Sequence, residues 1–337
     1  MTTISEPSWD SETVWEVHKF GGTSVANAEC FLRAASIVEE QQQLSPDIQI
    51  CVVVSAMGGK PKVTDLLLGT VDAASKRRLD DVDVTMNLIM EKHAKCLDGL
   101  EVIPEIEKSR LKEIISKDIN DIRDILKTVS LMKWKAGRIS ELVGGYGELW
   151  SSRILASLLD HRAANRCAEE GCRSKFQFLD ARRVIVVDDQ EESPSTSSEK
   201  GSSGGVLWNV CRKNLASVYK EELNAIRTAV NDYPTKVNFV ATGYVASSSN
   251  GVATTLGRDG SDYSAAIFGR LFQSRVITIW TDVDGVLSAD PRRVPNAHVI
   301  PDVSFNEAME LAYFGAKVIH VSNLLSQRHS GLSLRLT

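Results

Sequence analysis

The chain has 337 residues, of which 43% are hydrophobic and 25% are charged, with a formal net charge of −5. This length and composition predict a globular protein with one large domain or two modest ones, and the mild acidity argues against a general nucleic-acid binder or a membrane-surface protein. Because no apolar run approaches the roughly 20 residues that cross a bilayer, a membrane span is excluded as well.

The first predicted elements are a strand, a helix and a second strand. Residues 14–20 read as a strand, and residues 27–43 carry apolar side chains at a helical spacing. Residues 48–56, IQICVVVSA, form a nearly continuous β-branched run, which is typical of a strand buried on both faces. This order predicts a parallel βαβ unit.

The remaining elements continue the same alternation. Residues 65–168 are mostly helical in pattern, and a helical pattern also covers residues 262–272. Strands are predicted at residues 183–189, 237–246 and 276–285, and the Asn-Gly pair in SSSNGVAT (residues 247–254) predicts a hairpin. The fold class is therefore predicted to be α/β, a three-layer α/β/α sandwich around a largely parallel sheet.

Segments of unusual composition predict an N-terminal tail and an insertion, and the cysteines indicate the cellular compartment. Residues 1–14 are an acidic tail that resembles neither a secretory signal nor an Arg-rich transit peptide. Residues 190–205 are rich in Ser, Gly and Glu, which predicts a flexible surface insertion. Since the six cysteines form no C-x-x-C pair, a zinc site and a disulfide framework are not expected. Cys51 is predicted to be a small core residue, and the setting to be reducing and cytoplasmic.

Four glycine-bearing corners follow buried-looking elements: KFGGTS (19–24), VGGYGELWS (143–151), TLGRDGSDYSAA (255–266) and WTDVDGVLSADPR (280–292). In open α/β sheets, ligands bind outside the carboxyl ends of the strands. We therefore expect the four corners to converge on one crevice.

The first corner has the features of a phosphate cradle. Gly21 and Gly22 allow main-chain N–H groups to approach an anion, the following helix adds its dipole, and Lys19 adds a positive charge. A simple tight turn would explain an isolated Gly-Gly, but the lysine and the other corners favour a function. The sequence contains neither a P-loop motif nor a Rossmann fingerprint.

The other corners supply groups for a small polar ligand. Arg258 has a planar guanidinium that suits a carboxylate, whereas Asp259, Ser261 and Asp262 are also ordinary helix N-cap residues. Glu148 opens a predicted helix, where an acidic residue is favoured by the dipole alone. The aspartates of the fourth corner match no fixed metal cage, so nucleotide binding is the better interpretation.

Six segments in order resemble the signatures of aspartate kinases in the amino-acid kinase family: KFGGTS, VVSAM with a downstream VTDLL, GYGELWSS, GRDGSDYSAA, WTDVDGVLSADPR and YFGAKVIH. They are most similar to the kinase part of bifunctional aspartokinase–homoserine dehydrogenases. The resemblance implies a mainly parallel eight-stranded sandwich and transfer of the ATP γ-phosphoryl group to the side-chain carboxylate of L-aspartate. That reaction is the first step toward lysine, threonine, methionine and isoleucine.

The resemblance also implies a role for each matching residue. The transferring phosphate would be held by Lys19, Gly21, Gly22 and Ser24, and aspartate by Ser55, Thr64, Glu148, Arg258 and Ser261. ATP would be held by Thr281, Asp282, Arg292 and Lys317, while Asp262 would orient the lysines; Lys19 and Asp262 are the predicted catalytic pair. Mg²⁺ would arrive with ATP rather than in a protein cage.

The sequence departs from the family pattern at several points. Leu287 stands where a tyrosine is common, MGGKPK adds residues before Thr64, and Val321 follows His320 in place of proline. The kinase domain is predicted to cover residues 15–320, with residues 321–337 a divergent tail that contains neither regulatory ACT repeats nor a dehydrogenase.

Two alternatives remain open: a kinase for another amino acid such as glutamate, and a non-catalytic homologue that binds nucleotide or dimerises with a full-length partner. A homodimer, and a plastid location should a transit peptide precede this chain, also stay open.

Overall fold

The computed structural model describes residues 13–132, 137–170, 174–188, 205–229, 236–257, 260–281, 294, 296–298 and 333–336. The helices are α1 (Ala28–Leu44), α2 (Val63–Ser75), α3 (Leu79–Asp98), α4 (Glu105–Met132), α5 (Gly137–Gly144), α6 (Tyr146–Glu170), α7 (Trp208–Ala229) and α8 (Gly260–Leu271). The strands are β1 (Val14–Phe20), β2 (Ile48–Val54), β3 (Ser174–Leu179), β4 (Val186–Val187), β5 (Lys236–Thr242), β6 (Val245–Ser248), β7 (Ala253–Thr255), β8 (Val276–Trp280) and β9 (Ser333–Leu336).

The main sheet has six strands in the order β3-β5-β2-β1-β8-β9, and every neighbouring pair is parallel. A smaller sheet contains β4, β6 and β7, of which β6 and β7 form the antiparallel hairpin predicted at residues 247–254. In the described part of the chain, the parallel sheet thus has six of the eight strands that the resemblance implies.

Helices cover both faces of the main sheet, which confirms the three-layer α/β/α class. One core lies between the sheet and helices α1 to α6, and the other lies between the sheet, α7, α8 and the small sheet. Every residue of β2 is buried, because its β-branched side chains enter both cores. Cys51 is fully buried there, as predicted, and burial raises the pKa of its thiol.

The predicted boundaries hold closely for β1, α1, β2 and α8, and they fail at two strands. The strand predicted at residues 183–189 is only β4, because the Asp180 side chain accepts a hydrogen bond from the amide of Arg182 and starts a 3-10 turn instead. The strand predicted at residues 237–246 is two strands, β5 and β6, which a turn at Gly243 and Tyr244 separates.

Three elements were missed, and several predictions lie outside the described residues. Strand β3, helix α7 and strand β9 were not predicted from the sequence. β9 lies within the predicted tail at residues 321–337 and pairs in parallel with β8. Residues 1–12, most of the insertion at 190–205, and the tail at 321–332 belong to the part of the chain that is not described. None of the described helices has the length and apolar character needed to cross a membrane.

Candidate functional site

The candidate site lies at the carboxyl edge of the main sheet. The register aligns Phe20 with Val54 and with Trp280, and Val54 with Thr242, so β5, β2, β1 and β8 end at one level. Because these strands are parallel, the segments that follow them emerge side by side at this edge.

Main-chain hydrogen bonds continue beyond the strand ends and fix the first residues of the site. The amide of Ser55 donates to Phe20 O at 3.1 Å, and the amide of Gly243 donates to Val54 O at 2.9 Å. Ser55, a predicted aspartate-binding residue, is therefore held against the glycine corner that follows β1.

The glycine corner itself is a tight turn that leads into α1. A 3-10 turn covers Gly22–Val25, and the amide of Ser24 donates to Gly21 O at 3.0 Å. Asn27 then caps α1 by accepting a hydrogen bond from the amide of Cys30. The predicted Gly21, Gly22 and Ser24 thus sit in one compact turn directly after Lys19.

A cavity of about 190 Å³ adjoins this turn. Ser24 lines it together with Trp280 and Thr281, the residues at and just after the end of β8. The structure therefore brings a predicted phosphate-binding residue and a predicted nucleotide-binding residue to the same cavity.

An ion pair joins the first corner to the third. Lys19 Nζ lies 2.5 Å from Asp262 Oδ1, and the two side chains are 12% and 18% exposed. Lys19 reaches this partner because β1 side chains alternate between faces and Lys19 points toward α8. Asp262 lies in the first turn of α8, where the helix dipole favours a carboxylate.

The N-terminus of α8 also packs against the end of β5. A Cβ placed at Gly243 would lie 2.6 Å from Ser261 Oγ, so the two residues are in direct contact. Ser261, predicted to hold aspartate, is therefore at the same sheet edge as Ser55 and Lys19.

The loop between β2 and α2 forms another wall. The amide of Gly58 donates to Gly22 O at 2.8 Å, and the amide of Val63 donates to Met57 O at 3.0 Å, which closes the loop at the start of α2. Thr64, the second residue of α2, is half-buried next to this closure.

The second corner reaches the site through the start of α6. A Cβ placed at Gly147 would lie 2.7 Å from Ala56 Cβ, so α6 begins in contact with the segment that follows Ser55. Glu148 is only 5% exposed, and its Oε2 atom lacks a hydrogen-bond partner among the described residues.

The environment of Glu148 suits a cationic group of a ligand. Burial raises the pKa of its carboxyl to about 8, although a backbone hydrogen bond from Ala56 acts in the opposite direction. A carboxyl group in this state is mostly protonated at neutral pH and ionises when a positive partner arrives. Such a perturbed acid at a sheet edge is typical of a functional site.

Tyr244 is a site residue that the sequence analysis did not single out. It follows Gly243 with a φ of +66°, which a non-glycine residue adopts at a cost. Burial raises the pKa of its hydroxyl, and the nearby carboxylates of Glu148 and Glu141 raise it further. The glycine inside the predicted strand at residues 237–246 was the available signal, because an interior glycine often marks a break.

Three of the four corners therefore converge, and the fourth is described only at its first residues. Thr281 lies at the sheet edge, while Asp282, Arg292 and Lys317 fall outside the described residues, as does Arg258 of the third corner. Their predicted roles remain predictions. The described residues combine a lysine and main-chain amides, which suit an anion, with a buried acid, which suits a cation.

A three-layer α/β fold with a polar site at the carboxyl edge of a parallel sheet defines a class of proteins that bind small charged ligands or nucleotides. The chain belongs to the Amino acid kinase family, whose sequence model matches residues 15–337.

Its relatives include the chloroplastic bifunctional aspartokinase/homoserine dehydrogenase 1 of Arabidopsis thaliana, which is 34% identical over 95% of this chain and 30% of that protein. Bifunctional aspartokinase/homoserine dehydrogenase 2 of Escherichia coli is 30% identical over 95% of this chain and 34% of its own length. The chain thus spans about a third of the length of these relatives.

Among solved structures, the chain resembles E. coli aspartokinase III in complex with aspartate and ADP in the R-state. The TM-score is 0.72 at 26% sequence identity, and the likeness covers 95% of this chain and 61% of that one.

Proposed function

We propose that this chain is an aspartate kinase that transfers the γ-phosphoryl group of ATP to the side-chain carboxylate of L-aspartate and produces 4-phospho-L-aspartate. Family membership and the aspartokinase relatives support a kinase for an amino acid. The observation that carries the proposal is that the turn after Lys19 and the start of α6 at Glu148 contact one loop, residues 55–58. One site thus offers an anion-binding end and a cation-binding end.

The proposed chemistry needs no general base. An aspartate side chain has a pKa of about 3.9 in water, so the nucleophile is already ionised at neutral pH. The barrier comes from bringing this anion to a polyanionic phosphate, so catalysis depends on positioning and on fixed positive charge. Lys19 and the amides of Gly21 and Gly22 would supply that charge, and the Asp262 carboxylate would hold Lys19 in place.

The amino-acid end of the site would be built by the opposite wall. Glu148 would accept the α-ammonium group of aspartate, which supplies the positive partner that its buried carboxyl lacks. Ser55, Thr64 and Ser261 would donate hydrogen bonds, and Arg258 would pair with the α-carboxylate through its planar fork.

The nucleotide would lie toward β8. Thr281, Asp282, Arg292 and Lys317 would hold ATP, and Ser24 would assist at the transferring phosphate. The described residues contain no group of three His, Cys, Asp or Glu side chains placed to hold a metal ion. Mg²⁺ usually reaches phosphoryl-transfer sites on substrate phosphates with few protein ligands, and ATP would carry it here.

Trapping of the acyl phosphate with hydroxylamine tests the proposal. We expect hydroxamate from Mg-ATP with L-aspartate and none with L-glutamate, and a strong loss of the signal in Lys19→Ala. Lys76→Ala is the matched control, because Lys76 is an exposed lysine at the C-cap of α2 whose side chain pairs only with the surface carboxylate of Asp72 among the described residues.

The rival functions give different results in the same assay. Hydroxamate with glutamate alone would indicate a kinase for another amino acid. Binding of Mg-ATP without hydroxamate from either substrate would indicate a non-catalytic homologue, and both outcomes would refute the proposal.

A further inference from the structure

Lys92 lies on α3, a helix that contributes none of the predicted site residues. Its Nζ donates to Gly58 O at 2.6 Å and to Pro61 O at 2.8 Å. Burial removes water from this ammonium group and lowers its pKa. The two main-chain carbonyls replace part of that lost hydration. Lys92 therefore forms a hydrogen bond with each end of the segment 58–61.

This segment contains the residues that the sequence analysis identified as extra relative to the family pattern before Thr64. It has few packing side chains of its own, since it reads Gly-Gly-Lys-Pro, and Lys60 and Pro61 are exposed. A loop with this composition loses much conformational freedom when it is ordered. An external anchor such as Lys92 compensates for that loss.

Gly58 connects the anchor to the predicted phosphate cradle through the main chain alone. Its carbonyl accepts a hydrogen bond from Lys92 Nζ, and its amide donates a hydrogen bond to Gly22 O at 2.8 Å. The contact is tight, because a Cβ placed at Gly58 would lie 2.4 Å from Gly22 O and 2.9 Å from Thr23 N. A displacement of Gly58 would therefore displace the turn at Gly22.

We infer that Lys92 is a positioning residue for the phosphate-binding corner. Its hydrogen bond to Gly58 O holds the turn at Gly22 in place, and its hydrogen bond to Pro61 O holds the segment just before α2. Lys92 does not touch the reacting groups in this arrangement; it acts through two peptide groups. The inference rests on the proposed function for its kinetic consequence, but its structural consequence is independent of any substrate.

Hydrogen exchange and kinetics on matched variants test this role. Lys92→Met removes the donors at similar length, Lys92→Arg keeps donors, and Lys95→Met changes an exposed lysine one turn away on the same helix. In the ligand-free protein, Lys92→Met is expected to speed exchange about tenfold in peptides covering residues 20–26 and 56–63, because a hydrogen bond to a charged group is lost.

The same contacts through Gly58 and Pro61 are expected to affect catalysis. Lys92→Met should lower kcat about tenfold and raise the KM for Mg-ATP, with Lys92→Arg restoring most of the loss and Lys95→Met matching the wild type. Unchanged exchange at residues 20–26 in Lys92→Met, or a uniform rise over the whole chain together with a lower Tm, would overturn the inference.

The two proposals can fail separately. If the wild type shows no kinase activity while exchange at residues 20–26 rises selectively in Lys92→Met, the proposed function is wrong and the positioning role stands. If the wild type is an active kinase and Lys92→Met retains its kcat and its exchange pattern, the positioning role is wrong.

Discussion

Replacing Glu148 with glutamine removes a buried acid and is expected to stabilise the ligand-free protein in a pH-dependent way. The pKa of this carboxyl is about 8 in the folded chain against an ordinary value of 4.5. Between these two values the unfolded chain releases the proton while the folded chain keeps it, so rising pH favours unfolding of the wild type. Each unit of pKa difference is worth about 1.36 kcal/mol, which gives a penalty of about 5 kcal/mol at and above pH 8.

Glutamine has no proton to release and keeps an oxygen that can accept the Ala56 hydrogen bond. The free energy of unfolding of Glu148→Gln should therefore exceed that of the wild type by little near pH 4.5 and by a margin that grows up to pH 8. Urea unfolding at pH 5, 6, 7 and 8, followed by circular dichroism, measures this margin. A margin that does not change with pH, or a variant less stable than the wild type at pH 8, would show that Glu148 is not a buried acid with a raised pKa.

Glu107→Gln is a control that should change the free energy of unfolding in the opposite direction. The hydrogen bond from Arg110 lowers the pKa of the Glu107 carboxyl, so this group contributes stability above its unfolded pKa and loses it as the pH falls. Glu107→Gln should be less stable than the wild type at pH 7, and the deficit should shrink in acid.

Three further predictions concern activity and packing. Lys19→Ala should lower kcat by about 10² or more, as loss of a preorganised charge does in other enzymes, and near-normal turnover in the hydroxamate assay would remove Lys19 from the mechanism. The KM for aspartate should fall about tenfold per pH unit between pH 5 and 7 and level off near pH 8, because Glu148 must ionise to pair with the ammonium group. A flat profile would contradict that pairing. Gly58→Ala should lower the Tm and kcat, because its Cβ would lie 2.4 Å from Gly22 O. Gly69→Ala on α2, where a Cβ would meet open space, should keep the Tm or raise it. Equal effects of the two substitutions would contradict the tight contact at Gly58.

The parts of the fold that could be predicted are those where local pattern and burial agree. β2 is continuous in β-branched residues and is buried on both faces, and α1 has an asparagine cap at the predicted start. β3 was missed because it is an edge strand of the parallel sheet, with only Phe176 and Leu179 buried and no strong apolar run. α7 could have been predicted, since Cys211, Leu215 and Val218 recur at helical spacing and are buried.

The candidate site shows a similar division. Glycine and lysine after a buried strand indicate an anion site, and this local signal was sufficient to select Lys19, Gly21 and Gly22. The pairing of Lys19 with Asp262 depends on which strands are neighbours, and the raised pKa of Glu148 depends on the packing around it. Contacts of this kind, like those of Lys92, arise between segments distant in sequence and have no local signature.

A crystal structure of the chain with a non-hydrolysable Mg-ATP analogue and L-aspartate would test most directly whether the two substrates bind at this sheet edge. We expect the γ-phosphate within hydrogen-bond distance of Lys19 Nζ and the amides of Gly21 and Gly22, with the aspartate ammonium group against the Glu148 carboxylate. Phosphates bound away from the turn after β1, or aspartate bound at another part of the sheet, would contradict it.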